Sequence, residues 1–196
     1  MLIYLRPALV LTALFTLLTG LAYPLAVTGI AQAVLPRQAD GAPVLGRDGI
    51  VGSALIGQAF SSERYFHGRP SATTAPDPQD ATKSIDSPYN AASSTGSNLG
   101  ASSRTLQEAV RARAQALGGG PQPADLVTAS GSGLDPDITP AAALSQAGRV
   151  AKARGLAGDK VEELVRQQTS GRLLGVLGEP RVNVLALNLA LDRLAP

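Results

Sequence analysis

The chain of 196 residues contains no cysteine and no tryptophan, and only one histidine, one methionine, three phenylalanines and four tyrosines. Without cysteine there are no disulfides, no thiolate metal sites and no thiol nucleophile. A single imidazole leaves little for a metal cluster, and so few rings leave little for an aromatic ligand cage. The net charge of +2 does not mark a nucleic-acid binder. All 15 acids follow Arg37, and the 15 Lys and Arg beyond that point balance them, leaving the C-terminal part formally neutral and without a basic run. A phosphate-binding face needs a net basic patch, so nucleic acid is excluded as a partner.

Charge is also missing from one long stretch. Pro7 to Leu35 holds no Asp, Glu, Lys, Arg or His. A bilayer core of roughly 30 Å takes about 20 apolar residues of helix, and at about 1.5 Å per residue this stretch crosses it even when tilted. The small pair Ala31 and Ala33 around Gln32 resembles a signal cleavage site. The uncharged run, however, is about twice the length of a signal core, which favours a retained helix. Ala8, Thr12, Thr16 and Gly20 recur every four residues and define a small-residue side for close helix packing. Pro24, four residues beyond Gly20, predicts a kink or local opening. The transmembrane packing set is therefore Thr12, Thr16, Gly20 and Pro24, with membrane lipid around the rest. Arg6 and the terminal amine face Arg37 and Arg47 across the helix. The short N-terminal tail is expected to stay in the cytoplasm, because a long C-terminal domain translocates largely regardless of its charge.

Residues 1–35 are thus expected as a transmembrane helix and 36–196 as a soluble domain, with 70–103 as a long polar loop. Pro43 to Leu45 and Ser53 to Ile56 read as short strands bounded by glycines. The loop follows from Pro70, Pro76, Pro78, Pro88 and a lack of large apolar side chains. Thr105 with Glu108 suggests a capping box, and Gly118 to Gly120 a stop. Leu126 to Ala129 reads as a strand. Thr139-Pro140 opens a helix running to about Arg154 before Gly155. Asp159 with Glu162 caps another that ends near Gly171. The C-terminal stretch carries Val184, Leu187, Leu191 and Leu194 at helical spacing, and its alternating leucines also fit a strand; its length favours a helix. The fold class is α+β: one transmembrane helix plus a mainly helical extracytoplasmic domain with a small sheet.

Catalytic signatures are absent. None of Lys83, Lys152 or Lys160 follows a phosphate-loop glycine pattern. Ser130 and Ser132 lack the glycine two residues upstream that a nucleophile elbow requires. His67 is the only imidazole base. Asp135-Pro136-Asp137 lacks the downstream pattern of a calcium loop and reads as turn and cap chemistry. Gly131 and Gly133 let the backbone adopt conformations closed to other residues, so Ser130, Ser132 and Asp135 can present oxygens and N–H groups. Two roles stay open for Ser130, Ser132, Gly133 and Asp135: holding the turn, or coupling to a nucleotide-using partner.

Several segments together resemble the C subunit of the bacterial Kdp potassium-transporting P-type ATPase. They include LRPA at residues 5–8, LTGLAYPL at 18–25, GSALIGQ at 52–58, YFHGRPSA at 65–72, GSNLG at 96–100 and LVTASGSGLDP at 126–136. RVAKAR at 149–154 and VNVLALNLALD at 182–192 complete the set, in order over nearly the whole chain. The resemblance implies an accessory, non-catalytic subunit of an inner-membrane complex that imports potassium. Its partners would be an A subunit carrying the potassium path and a B subunit hydrolysing ATP. The chain would hold no cofactor of its own and meet ATP only through the complex, acting as a catalytic chaperone that raises the ATP affinity of the B subunit. His67, Arg69 and Asn98, within the matching motifs, are loop contact candidates; the divergent stretch from Thr73 to Asn90 is expected to carry no site. The alternative is a free-standing anchored domain whose polar loops bind or hydrolyse a cell-envelope ligand.

Overall fold

The computed structural model describes residues 2–46 and 49–194, in two compact units divided between Val51 and Gly52. Arg47, one of the charges used to orient the membrane helix, lies outside the described residues.

The first unit is dominated by a helical run from α1 (Leu2–Leu17) through a π-helical turn (Leu18–Ala22) into α2 (Tyr23–Val34). Ile3–Val34 spans 32 residues with a mean hydropathy of 1.9 and no buried residue, long and apolar enough to cross a bilayer. The irregularity expected at Gly20 and Pro24 is the π turn. The Tyr23 N–H donates to the carbonyl of Leu18, five residues back, just before a proline that has no N–H to give. Thr19 Oγ1 donates to the Phe15 carbonyl at 2.6 Å, which hides its hydroxyl within the helix. A short α3 (Pro36–Ala39) follows, then β1 (Pro43–Leu45), paired with β2 (Ile50–Ser53). The strand expected over Ser53 to Ile56 ends at its first residue. Ser53 Oγ accepts the Leu55 N–H at 3.0 Å and turns the chain instead.

The second unit is built on one long helix, Pro140–Arg154, but the chain reaches it through the stretch read as a polar loop. That stretch holds an antiparallel hairpin of β3 (Thr74–Pro76) and β4 (Ser84–Asp86), with Ala75 opposite Ile85, and a 3₁₀ turn at Ala91–Ser93. The helix α4 (Arg104–Ala116) is capped by Ser103, whose side chain accepts the Leu106 N–H, so the capping box placed at Thr105 is two residues late. Leu126 to Ala129 is no strand. Leu126 and Val127 close the single-turn helix α5 (Ala124–Val127), a short apolar run that periodicity cannot assign.

β5 (Asp137–Ile138) leads to α6 (Pro140–Arg154). Its boundaries are those expected: Thr139 Oγ1 accepts the Ala142 N–H at 3.1 Å, and Gly155 ends the helix at φ 67°. The helix α7 (Gly158–Gln167) starts from Ala157 with no side-chain cap, so Asp159 serves in the first turn and not as the cap. β6 (Thr169–Ser170) and β7 (Arg181–Asn183) complete a three-stranded antiparallel sheet in the order β5-β7-β6, and α8 (Val184–Leu194) ends the fold. The C-terminal stretch is therefore helical, with Leu187 and Leu191 fully buried and Leu194 half exposed.

The core follows from the sequence of α6. Its inward side carries Ala142, Ala143, Ala147, Val150 and Ala151, small enough for Val161 and Val165 of α7 to sit close. Phe66, Ile138, Val182, Leu187 and Leu191 fill the remaining volume. Each large side chain buried here contributes about 1.5–3 kcal/mol.

Candidate functional site

Two of the motifs picked out from the sequence, YFHGRPSA and SGSGLDP, are brought together, and each is fixed by a different device. The segment carrying Glu63 to His67 pairs with no strand: it opens in a turn closed by the Tyr65 N–H donating to the Ser62 carbonyl at 3.0 Å and then runs on without a backbone partner. Side chains supply its hydrogen bonds instead. Arg149 Nη1 and Nη2 donate to the carbonyls of Glu63 and Tyr65 at 2.7 and 3.0 Å, and Arg154 Nε to that of Arg64 at 2.7 Å. Asn188 grips the Phe66 peptide from both sides, accepting its N–H at 2.9 Å and donating to its carbonyl at 3.0 Å. Gln146 does the same for His67, at 2.9 and 3.1 Å. Five consecutive carbonyls are thus held by two helices. Buried amides achieve this well because each carries both a donor and an acceptor.

Beyond His67 the chain meets the glycine-rich loop. Arg69 Nη1 pairs with Asp135 at 3.2 Å, and the Pro70 carbonyl accepts the Ser130 N–H at 3.2 Å. Ser71 Oγ donates to the Gly133 carbonyl at 2.8 Å and accepts the Tyr89 N–H at 3.0 Å. The Tyr89 hydroxyl donates to the Arg69 carbonyl at 2.7 Å. Burial, with the nearby Asp135 carboxylate adding to it, pushes the Tyr89 phenol up to about 12. Thr73, almost wholly buried, donates to the Ser87 carbonyl at 2.6 Å and accepts the Asn90 N–H at 3.1 Å. From the other side Ser94 Oγ donates to the Ser132 carbonyl at 3.0 Å. The stretch from Thr73 to Asn90, expected to hold no site, therefore supplies the floor under this loop.

Within the loop, Gly133 is obligatory. Its φ is +67°, and a Cβ there would lie 2.5 Å from Thr73 Cγ2 and 2.6 Å from the Thr95 carbonyl. Gly131 has open space around its Cα. Ser132 Oγ accepts the Leu134 N–H at 3.1 Å on the exposed side, whereas Ser130 is buried. Asp135 also accepts the Asp137 N–H at 3.0 Å, the turn chemistry expected of Asp-Pro-Asp. Burial raises the Asp137 carboxyl above its ordinary value, opposed by a hydrogen bond from Asn183 and by the Arg181 guanidinium. Arg69, Asp135, Asp137, Thr139, Glu179 and Arg181 line an open groove of about 300 Å³ beside the loop.

The candidate residues therefore separate. Ser130, Ser132, Gly133, Asp135 and Arg69 share one cluster. His67 is held by Gln146, and its Nε2 lies 3.0 Å from the Ser62 carbonyl; it lines a second cavity of about 360 Å³ with Glu63, Gln122, Ser145 and Arg149. Asn98 is exposed, at a left-handed φ of 52°, and makes none of these bonds. Thr12, Thr16, Gly20 and Pro24 lie on the bare surface of the membrane helix, and a Cβ at Gly20 would meet nothing within 4 Å. Gln146 and Asn188 escaped the sequence reading. The signal was there: each is an uncharged amide at an inward helical position, beside Ala142 and Ala143 in one case and Leu187 and Leu191 in the other.

Among the described residues, no group of three or more His, Asp or Glu is placed to hold a metal ion. The cluster supplies hydroxyls, backbone amides and one ion pair in fixed geometry. Residues 5–193 match the family model described as KdpC: K+-transporting ATPase, c chain. Relatives named Potassium-transporting ATPase KdpC subunit include those of Methylobacterium nodulans, 60% identical over 200 residues (100% of this chain, 99% of the relative), and Methylorubrum populi, 61% identical over the same coverage. A third, from Rhodopseudomonas palustris, is 58% identical over 191 residues, 95% of each chain.

Proposed function

The chain belongs to the KdpC family, the c chain of the K+-transporting ATPase, and on that premise we propose that it is the anchored accessory subunit that assembles a high-affinity potassium importer and raises the ATP affinity of the ATP-hydrolysing subunit. It is not the catalytic chain of that ATPase. Its partners in this reading are the potassium-translocating A subunit and the ATP-hydrolysing B subunit of an inner-membrane complex, with lipid around the exposed helix. The N-terminus stays in the cytoplasm and the C-terminal domain lies outside. ATP is then met only through the complex, and the effect on ATP use is transmitted mechanically, not by direct contact.

The observation that carries this is the locking of one motif loop to the other through Arg69–Asp135 and Ser71–Gly133. A cluster that spends its polar groups on fixing a loop, while leaving Ser132 on the outside, fits a contact surface better than a reaction centre. Ser132→Ala tests it. Normal yield of complex with a raised apparent KM for ATP is expected. Lower yield with unchanged ATP dependence would reduce the loop to a structural turn. ATP hydrolysis by the isolated chain, abolished by Ser132→Ala or His67→Ala, would overturn the accessory role. For the sidedness, a reporter that fluoresces only in the cytoplasm, fused after Pro196, should stay dark.

A further inference from the structure

The second unit buries most of its large apolar residues in a core; those left exposed, such as Leu55, Ile85, Leu144 and Leu194, are scattered singly along the chain, except in one loop. Between β6 and β7 the chain makes a tight loop that holds Leu173, Leu174, Val176 and Leu177 in solvent at 66, 84, 73 and 57% exposure. Single exposed apolar residues are ordinary, but four within five residues at the tip of one loop mark a contact site.

The loop is also preformed. Leu173 and Leu177 exchange both backbone hydrogen bonds, at 2.8 and 3.0 Å, and the Gly175 N–H donates to the Arg172 carbonyl at 3.1 Å. Gly175 and Gly178 take positive φ values of 77° and 79°, so the turn geometry is written into the sequence. Across the base, Arg172 Nη2 donates to both carboxylate oxygens of Glu179 at 2.8 and 2.7 Å. Little ordering remains to be done on binding, which favours affinity.

We infer that the Leu173–Leu177 loop is an apolar knob that seats in an uncharged cleft on another protein subunit of the ATPase complex. Charge selects this occupant over the bilayer surface. Membrane-inserting loops combine aromatic residues with free cations drawn to anionic headgroups. Residues 171–179 contain no aromatic and no lysine; their one cation is neutralised by Glu179, and neighbouring Arg181 pairs with Asp137 at 3.1 Å. A tip of bare Leu and Val over a neutral base complements an apolar, uncharged protein surface.

The inference rests on the subunit reading above, and the test separates the two. The chain has no cysteine, so Val176→Cys in the full chain takes a single acrylodan label before partners are added. In nanodiscs of phosphatidylcholine and phosphatidylglycerol holding this chain alone, the emission should stay water-like. It should shift to the blue once the A and B subunits are added and co-elute. A blue shift in lipid alone, or water-like emission within the assembled complex, overturns the knob. In parallel, Leu174→Ser with Val176→Ser should lower the recovered complex at least tenfold, while Leu144→Ser on exposed α6 stays within twofold of the unaltered chain. Recovery of the double variant within twofold also overturns it. If the unaltered chain itself never co-elutes with those subunits, the subunit reading falls and this inference with it.

Discussion

Two glycines in the SGSG motif, two positions apart, should respond oppositely to alanine. At Gly133 the backbone is left-handed, which costs an alanine about 1 kcal/mol or more. The new methyl would also stand 2.5 Å from Thr73 Cγ2 and 2.6 Å from the Thr95 carbonyl. Neither neighbour yields readily: Thr73 is buried and tied by its hydroxyl to the Ser87 carbonyl at 2.6 Å, and the other is backbone. Overpacking of this kind costs about 1–3 kcal/mol. Gly133→Ala should therefore destabilise by about 3 kcal/mol, or about 6–12 °C in Tm at the usual 2–4 °C per kcal/mol for a chain of this size. At Gly131 the φ is not positive and no atom lies within 4 Å of the added methyl, so Gly131→Ala should fall within about 0.5 kcal/mol of the unaltered chain. The assay is urea unfolding of the full chain in detergent, followed by far-ultraviolet circular dichroism. Equal losses for both variants, or no loss for Gly133→Ala, would refute the packing argument.

Other positions give separate tests. Asn188→Leu should cost about 2–6 kcal/mol in the same unfolding assay, because the Phe66 N–H and carbonyl are both left buried without partners, at about 1–3 kcal/mol each. Difference titration at 295 nm between the unaltered chain and Tyr89→Phe should yield a phenol ionising near 12. Since the folded value lies above the ordinary 10, the stability that Tyr89 contributes is complete below pH 10 and lost as pH rises toward 12; a midpoint near 10 contradicts its burial against the Arg69 carbonyl. Gly20→Leu should reduce complex recovered in detergent more than Leu18→Ala, because bulk on the small-residue side blocks close helix approach. Equal recovery removes that side as the packing face.

What the sequence made legible was local. Thr139, Pro140 and Gly155 bracket α6 because cap and stop act within a few residues of themselves, and the membrane helix is plain from an uncharged run alone. Where the deciding interaction is distant or carries no side-chain mark, the reading slipped. The start of α7 at Ala157 has no side-chain cap to announce it, so Asp159 drew the boundary inward. Leu126 and Val127 were too short a run for helix and strand to differ. The polar loop conceals β3 and β4 because their support, Thr73 and Asn90, is hydrogen bonding and not apolar patterning. The motif loops were identified, but not their meeting, which depends on Arg69 reaching Asp135 across 66 positions. Gln146 and Asn188 were missed for the same reason: their partners are backbone atoms 79 and 122 positions away.

Those separations bear on the order in which the molecule can be made. The segment from Glu63 to His67 leaves the ribosome early, yet its peptide groups wait for Arg149 and Arg154 of α6 and, last of all, for Asn188 in the final helix. Tyr65 waits equally for Asp192, 3.3 Å from its hydroxyl and 127 positions on. Closing such loops costs entropy before any contact rewards it. A nascent chain halted before residue 188 can already hold the carbonyls of Glu63, Arg64, Tyr65 and His67 from α6, but leaves the Phe66 peptide and the Tyr65 hydroxyl without their partners. The emergence of α8 is therefore the event that closes the clamp on Phe66, so a chain truncated before α8 loses a hold on a segment more than 120 positions upstream along with the helix itself.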